Sequence, residues 1–560
     1  MRFIKHFILG TLLWAGLLSP ALAQQESWYL VTFTDKPTEL LSTPEKFLSQ
    51  RALDRRSRSH IEISEEDLPL SSAYLQKVNS LSGLSQGHRL KWMNAVTIKT
   101  KDESVLDTLN SWSFVQDVKW ISQVPVGRQG YVDKLDEEKD LIRENVSINS
   151  FLTDYGDAWP QVGMIGVNSL HKDGYTGKGI WIGVFDNGFS RVDVLPYFES
   201  LWTNGQIIGQ QDMVDGDQNA LHGGTHGTAV MSTMAVTRPG SMIGTAPDAS
   251  YYLFRTEVSA SETLIEEYHW AAAAEFADSV GIDIINSSLG YSRFDDPAQN
   301  HTYADMNGDS TVITKAANRA FKKGILVVNS AGNSGNRDWY YITAPADGKY
   351  VMAIGAIGID QQVAPFSSRG PNSAGQTKPD VCALGWNAIV ATQDSSHGIS
   401  SGTSFSSPIT AGACASLWQA YPQASNYSVA LAVRSSAHQY DSPDTLYGYG
   451  IPDFAKALQI LKDNSYPVKD NSTLLSSFVM YPNPATNELH LDFISTVSSE
   501  TIRFKVTDTQ GRTVLDEKWT ATEGYNHNSW SILHLETGTY VTEFFRGEER
   551  SVRKLSVVGR

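Results

Sequence analysis

The chain has 560 residues, two cysteines, and 45 Lys and Arg against 61 Asp and Glu, a formal charge of −16. That balance argues against a partner held by a basic surface, so nucleic acid is not expected, and two cysteines cannot build a disulfide framework. The length predicts two to four folded units, and 41% hydrophobic residues with 14 Trp predict packed cores.

Arg2 and Lys5 precede an apolar run at 7–18 and then Ala21-Leu22-Ala23, the charged, apolar and small-residue order of a secretory signal peptide over residues 1–23. No later apolar run is long enough to cross a bilayer. Residues 24–148 mix short alternating strands, at 27–34 and 94–99, with charged helical stretches. Arg51, Arg55, Arg56 and Arg58 fall at helical spacing without interleaved aromatics, which predicts a solvated helix face and not a polyanion site. Residues 155–461 carry apolar runs at 179–185, 249–254, 282–286, 325–329 and 351–356, separated in places by helical stretches such as 263–279 and 316–323. Runs of this kind are strands buried on both faces, and the alternation predicts an α/β unit, a mainly parallel sheet flanked by helices. The polar stretch 462–473 is expected as a linker. Residues 474–560 are expected as a small antiparallel β-sandwich: Ile502, Phe504 and Val506 alternate before a turn at 508–511, and 538–545 is set to pair with 551–558 across 546–549.

The chemistry begins at Gly402-Thr403-Ser404-Phe405-Ser406-Ser407-Pro408, where a loop of small residues enters an alanine-rich helix with Pro408 expected in its first turn. A serine there has its N–H among the unpaired donors of the helix start, where negative charge is favoured. An acyl-transfer nucleophile needs such an environment for its oxyanion, although a serine alone is more often a helix cap. Nucleophilic serine chemistry further requires a base and a carboxylate to orient it. His226, in His226-Gly227-Thr228 at a helix start, is the candidate base. Asp186 directly follows a buried strand, the place where open α/β sheets present functional groups. Asn333, in the turn Ala331-Gly332-Asn333, offers an amide to an oxyanion. Cys382 and Cys414 lie in apolar contexts and are expected as buried, inert thiols. His222 and His226 have zinc-ligand spacing, but Gly223 occupies the place of a catalytic glutamate. The run 305–309 has its glycine misplaced for a calcium loop, and Ala316 stands at the twelfth position. No metal ligand is assigned, no cofactor is expected for catalysis, and structural calcium is left open.

These segments together resemble the subtilisin-like serine proteases, the subtilases, whose catalytic order is Asp, His, Ser, here Asp186, His226 and Ser404. The resemblance implies a secreted serine endopeptidase working through an acyl-enzyme, with Asn333 in the oxyanion hole. Ser288-Leu289-Gly290 resembles the edge strand that pairs with substrate backbone, and Ala344-Pro345-Ala346 resembles a wall of the pocket for the residue before the cut; with Ala331 and Gly332 they are the expected substrate-binding residues. Asn187 after the aspartate, Phe405-Ser406-Ser407 after the serine and Ala229-Val230-Met231-Ser232 after the histidine depart from the commoner family sequence. By position, 24–148 resembles a prodomain that assists folding and blocks the cleft, with maturation expected between 126 and 157. Residues 474–560 resemble the sorting domain of type IX secretion cargo, on Tyr481-Pro482-Asn483-Pro484-Ala485, Leu535-Glu536-Thr537-Gly538-Thr539-Tyr540 and Lys554-Leu555-Ser556-Val557-Val558. The implied partners are protein or peptide substrates, the chain's own prodomain and an outer-membrane secretion machinery. The implied location is outside or on the surface of a Gram-negative bacterium, reached through the periplasm. The rival expectation is a secreted, catalytically silent binding protein or adhesin on the same scaffold.

Overall fold

A computed structural model describes residues 25–59, 61–124, 134–142, 154–463 and 478–558, apart from 496, 498 and 548. The expected signal peptide, residues 143–153 and most of the expected linker lie outside the described residues.

The N-terminal unit comprises β1 (Ser27–Phe33), α1 (Gln50–Arg58), α2 (Ser72–Asn79), β2 (Leu84–Leu90), β3 (Ala95–Thr100), α3 (Glu103–Asn110) and β4 (Val115–Gln123). The strands form an antiparallel sheet in the order β2-β3-β1-β4. Alternation along β1 and β3 turns Val31, Phe33, Val96 and Ile98 to one face. There they meet Leu75 and Val78 of α2 and Val105 and Leu109 of α3, in a core separate from the rest of the chain. A short helix, α4 (Lys134–Lys139), follows.

The central unit is built on β5 (Trp181–Asp186), β6 (Ile207–Asp212), β9 (Ser250–Arg255), β10 (Ile284–Ser287), β11 (Leu326–Ser330), β12 (Met352–Ile357) and β13 (Val381–Leu384), with the hairpin β7 (Thr237–Arg238) and β8 (Met242–Ile243) between β6 and β9. The seven long strands are parallel, in the order β13-β12-β11-β10-β5-β9-β6. Five were expected. The edge strand β6 has no apolar run because most of its residues are only half-buried, and β13 is four residues long. The five expected strands start one or two residues later than their apolar runs and end one residue later, so β5 reaches Asp186 itself.

Three short helices, α5 (Trp159–Gly163), α6 (Val167–Lys172) and α7 (Glu199–Thr203), are the first helices of this unit, and longer helices cover both faces, as a two-sided apolar sheet demands. α9 (Ile265–Val280) and α10 (Val312–Lys322) lie on one side, packing Trp270, Ala273, Ile313 and Ala317 against Ile285 and Val327. α10 begins four residues before its expected start, because the Thr311 hydroxyl caps it by accepting the Thr314 N–H at 3.2 Å. On the other side run α8 (His226–Ala235) and α11 (Thr403–Ala420), the latter buried from Thr403 to Trp418. Pro408 is the sixth residue of α11, in its second turn and not its first. Proline there leaves the Ser404 carbonyl without its helical N–H, and the Ser288 hydroxyl takes that place at 2.8 Å. Cys382 and Cys414 are fully buried, and burial pushes both thiols up.

The expectation of a solvated arginine face on α1 is overturned at Arg55 and Arg56, while Arg58 is exposed as expected. Arg55 and Arg56 are each 1% exposed. Both grip Asp278 near the end of α9, through Arg55 Nη2 at 2.6 Å and Arg56 Nη2 at 2.7 Å, and Lys91 joins them at 3.1 Å. Arg51 pairs with Asp283, and the Lys91 and Trp92 N–H groups donate to the Glu275 carboxylate. Helical spacing of charges is the same whether the opposing surface is water or a carboxylate. The N-terminal unit is thus fastened to α9 by buried ion pairs.

The last helix of the central unit runs to Asp463, over the first two residues of the expected linker. Beyond it lie two antiparallel sheets. Phe478–Tyr481, Glu488–Ser495 and Gly524–Ser531 form one; Thr513–Ala521, Glu500–Asp508, Gly538–Arg546 and Glu549–Val557 form the other. Leu491 and Phe493 from the first meet Phe504, Val506, Phe544 and Leu555 from the second, the filling of a small sandwich. Among the described residues no helix is long and apolar enough to cross a membrane.

Candidate active site

Three of the sequence-derived residues sit where strands give way to helices. Asp186 ends β5, His226 opens α8, and Ser404 is the second residue of α11. Asp186 and His226, 40 positions apart, meet through His226 Nδ1 and Asp186 Oδ1 at 2.7 Å, both fully buried. The Asn187 N–H also donates to that carboxylate oxygen at 2.8 Å. The approach needs Gly227: a Cβ there would lie 2.5 Å from the Gly188 carbonyl oxygen and 2.9 Å from Asp186 Cβ. Phe405 packs its ring 6.0 Å from the imidazole, centroid to centroid, which accounts for an aromatic beside the serine.

Asn333, in the loop after β11, is oriented by Thr403, whose N–H and hydroxyl both donate to Asn333 Oδ1 at 2.9 Å. Its Nδ2 is thereby aimed at the space before Ser404. Gly332 takes φ of +109°, a left-handed conformation that favours glycine, and its N–H donates to the Thr403 hydroxyl at 3.1 Å. Ala331 bonds β12 through the Ile354 carbonyl. Ser288, Leu289 and Gly290 leave β10 alongside. The Leu289 carbonyl is occupied by Asn329 Nδ2 at 2.9 Å, and a Cβ on Gly290 would strike the Thr343 hydroxyl. Ala344 exchanges two backbone hydrogen bonds with Tyr291.

Two residues that sequence reasoning missed complete the constellation, and both belong to α4. The Ser404 hydroxyl donates to Glu138 Oε1 at 2.6 Å, and Asn333 Nδ2 donates to the same oxygen at 3.3 Å. Glu138 Oε2 lies 3.3 Å from His226 Nε2. One turn earlier, Lys134 Nζ donates to the Ser288 carbonyl at 2.9 Å and pairs with Glu257 at 3.7 Å. Glu138 stands 266 positions from Ser404 in an ordinary charged run, so no local pattern marks it. Burial pushes the His226 imidazole down, but the Asp186 and Glu138 carboxylates outweigh it and raise its pKa to about 10. Gly402 is needed for space, since a Cβ there would lie 2.6 Å from Glu138 Oε1 and 3.3 Å from Asn333 Nδ2.

Among the described residues two groups have donor atoms within 4.8 Å of one another, close enough for a metal ion: Asp212, Asp217 and His222, and Glu257, Glu262 and Glu266. Asp212 is already engaged by Arg255 and by the Val214 and Asp215 N–H groups.

A parallel sheet with an Asp–His pair and a serine at its helix-bearing edge defines the chain's class as an α/β protein of hydrolase type. Comparison makes this specific. Residues 177–450 match the Subtilase family, residues 28–136 the Peptidase S8 propeptide domain of Bacteroidota, and residues 479–558 the secretion system C-terminal sorting domain. The chain is similar to Subtilisin DY of Bacillus licheniformis, 27% identical over 298 residues that cover 53% of this chain and 97% of that protein. It is similar to Subtilisin E of Bacillus subtilis (strain 168), 28% identical over 302 residues, 53% of this chain and 70% of that one. It is also similar to Alkaline protease of Alkalihalobacillus alcalophilus, 28% identical over 284 residues, 50% of this chain and 65% of that one. Residues 177–450 form a subtilase domain of the serine endopeptidase kind, accompanied by a propeptide domain and by a type IX sorting domain that directs the protein out of the cell.

Proposed function

We propose that the chain is the latent precursor of an exported endopeptidase that cleaves proteins through an acyl-enzyme formed on Ser404. The observation that carries this reading is the Glu138 carboxylate, bonded to the Ser404 hydroxyl and the Asn333 amide and paired with His226. In this reading its Oε1 stands in for a tetrahedral oxyanion, since the Asn333 amide donates to it. In the active enzyme Ser404 Oγ attacks the scissile carbonyl, and His226 Nε2 accepts its proton. Asp186 holds the imidazole through Nδ1–H and stabilises the imidazolium. The Asn333 amide and the Ser404 N–H receive the oxyanion, His226 protonates the leaving amine, and water then releases the acyl group. Substrate backbone runs along Ser288, Leu289 and Gly290, with Ala331, Gly332 and Ala344 around the residue before the cut. No cofactor takes part.

Latency in this reading has two sources. Glu138 fills the oxyanion site, and its charge helps keep His226 protonated, so the base cannot accept the serine's proton. Departure of α4 removes both restraints together. The sorting domain hands the precursor to the outer-membrane machinery, and the product is released or held at the surface of a Gram-negative cell. A catalytically silent adhesin on this scaffold is the alternative. The two part on labelling of the processed protein with a fluorophosphonate probe and on casein hydrolysis. Labelling of wild type that disappears in Ser404→Ala supports the protease; equal labelling of both, or none, overturns it.

A further inference from the structure

Beside the triad lies a cluster of carboxylates that the mechanism does not use. Glu257 follows β9 by two residues, and its neighbour Thr256 donates its N–H to the Asp186 carbonyl at 2.9 Å. Glu262 and Glu266 bring their carboxylates within 4.8 Å of that of Glu257. Glu257 is 8% exposed and Glu266 fully buried.

We propose that Glu257, Glu262 and Glu266 form a specificity pocket of the cleft that takes a lysine or arginine side chain of the substrate. One member of the cluster already pairs with an organic cation. The Lys134 ammonium sits 3.7 Å from Glu257 and donates to the Ser288 carbonyl at 2.9 Å, while Ser288 itself bonds the carbonyl of Ser404. Lys134 and Glu138 stand four residues apart on α4, on one helix face. One turn therefore spans the distance from pocket to nucleophile, placing the pocket within reach of a residue near a scissile bond.

The electrostatics require a replacement when α4 leaves. Burial raises the pKa of Glu257, and Lys134 is the foremost influence that lowers it. For Glu266, burial and then Glu262 and Glu257 act in the same upward direction, countered by the N–H groups of Thr263 and Val258. Tyr291, fully buried, has no hydrogen-bond partner for its hydroxyl among the described residues, and after burial Glu266, Glu257, Glu262 and Glu267 are the charges acting on it. A desolvated cluster of this kind without a cation is costly, and an ammonium or guanidinium restores the balance. Both Glu266 oxygens already accept backbone N–H groups, which suits an organic cation better than a metal needing many free lone pairs.

The inference rests on the protease reading, and the experiment separates the two. The exported, processed enzyme is given peptides carrying Arg, Lys, norleucine, citrulline or Glu at each of the four positions before the cut, with fluorophosphonate labelling in parallel. At one position kcat/KM for Arg or Lys is expected to exceed that for norleucine by at least about tenfold, with Glu poorest. In Glu257→Gln the basic-to-neutral ratio collapses towards one, and Glu257→Asp retains part of it. A flat profile in enzyme that labels normally overturns the pocket and leaves the protease standing. No labelling and no cleavage overturn the protease reading, and the pocket with it. A flat profile with a thermal midpoint raised by millimolar calcium in wild type, but not in Glu257→Gln, makes the cluster a metal site and also overturns the proposal.

Discussion

Replacing Glu138 by glutamine keeps the side chain's shape and one accepting oxygen but removes its charge. In the precursor that charge lies opposite a fully buried imidazolium at 3.3 Å, with the Glu138 side chain 4% exposed. Removing one charge of a buried ion pair costs roughly 2–4 kcal/mol, so α4 should hold the cleft roughly 30- to 1,000-fold less tightly. The effect on His226 compounds this. With one of its two raising carboxylates gone, its pKa falls from about 10 towards the range in which it accepts a proton from Ser404. The assay is a short pulse of fluorophosphonate on the freshly purified precursor, resolved by mass so that label on the unprocessed chain is read apart from processed enzyme. The Glu138→Gln precursor should label at least about thirtyfold faster than wild type, with Glu138→Asp between them. Equal rates in two precursors of matched thermal stability would refute the argument that this carboxylate holds the enzyme latent.

Asp186 and, after it, Glu138 give His226 a pH dependence. The His226 pKa is raised, so its contribution is fully present below pH 6.5 and is lost as pH rises through about 10. That interval is worth about 5 kcal/mol at about 1.4 kcal/mol per pH unit, and the alkaline loss of precursor stability should be smaller in Glu138→Gln, as read by thermal midpoints between pH 7 and 10. Asn333→Ala should lower kcat by roughly 10²–10³, with KM changed little, by loss of one oxyanion donor. Gly402→Ala should lower kcat by roughly 10² or more, because its methyl would enter the space between Ser404 and the Asn333 amide; wild-type turnover in that variant would place the oxyanion elsewhere. Asp278→Asn leaves Arg55 and Arg56 buried without their shared carboxylate. That should cost the precursor about 3–5 kcal/mol and free the N-terminal domain, while the processed enzyme, lacking those arginines, keeps its stability.

The amino-acid sequence alone determined the layers and picked out the candidate groups of the site. Apolar runs long enough to be buried on both faces announced the parallel sheet, because such strands have no other place to go. Asp186, His226, Asn333 and Ser404 stood out because each lies in a short local pattern of small residues at a strand end or helix start. Such patterns survive in sequence because backbone sterics act between near neighbours: Gly402, Gly227 and Gly332 are where a Cβ or an ordinary φ would not fit. Tertiary structure alone decided what faces those groups. Glu138, Lys134 and Glu257 are ordinary acidic and basic residues until chain segments more than 100 positions apart bring them together. Arg55 and Arg56 were legible as a helix face but not as a buried one, because only the opposing Asp278 distinguishes a carboxylate from water. Pro408 lies deeper in its helix than the sequence suggested and is tolerated because the Ser288 hydroxyl reaches the carbonyl it leaves unpaired. Propensity and sterics act along the chain; burial and charge pairing act across it.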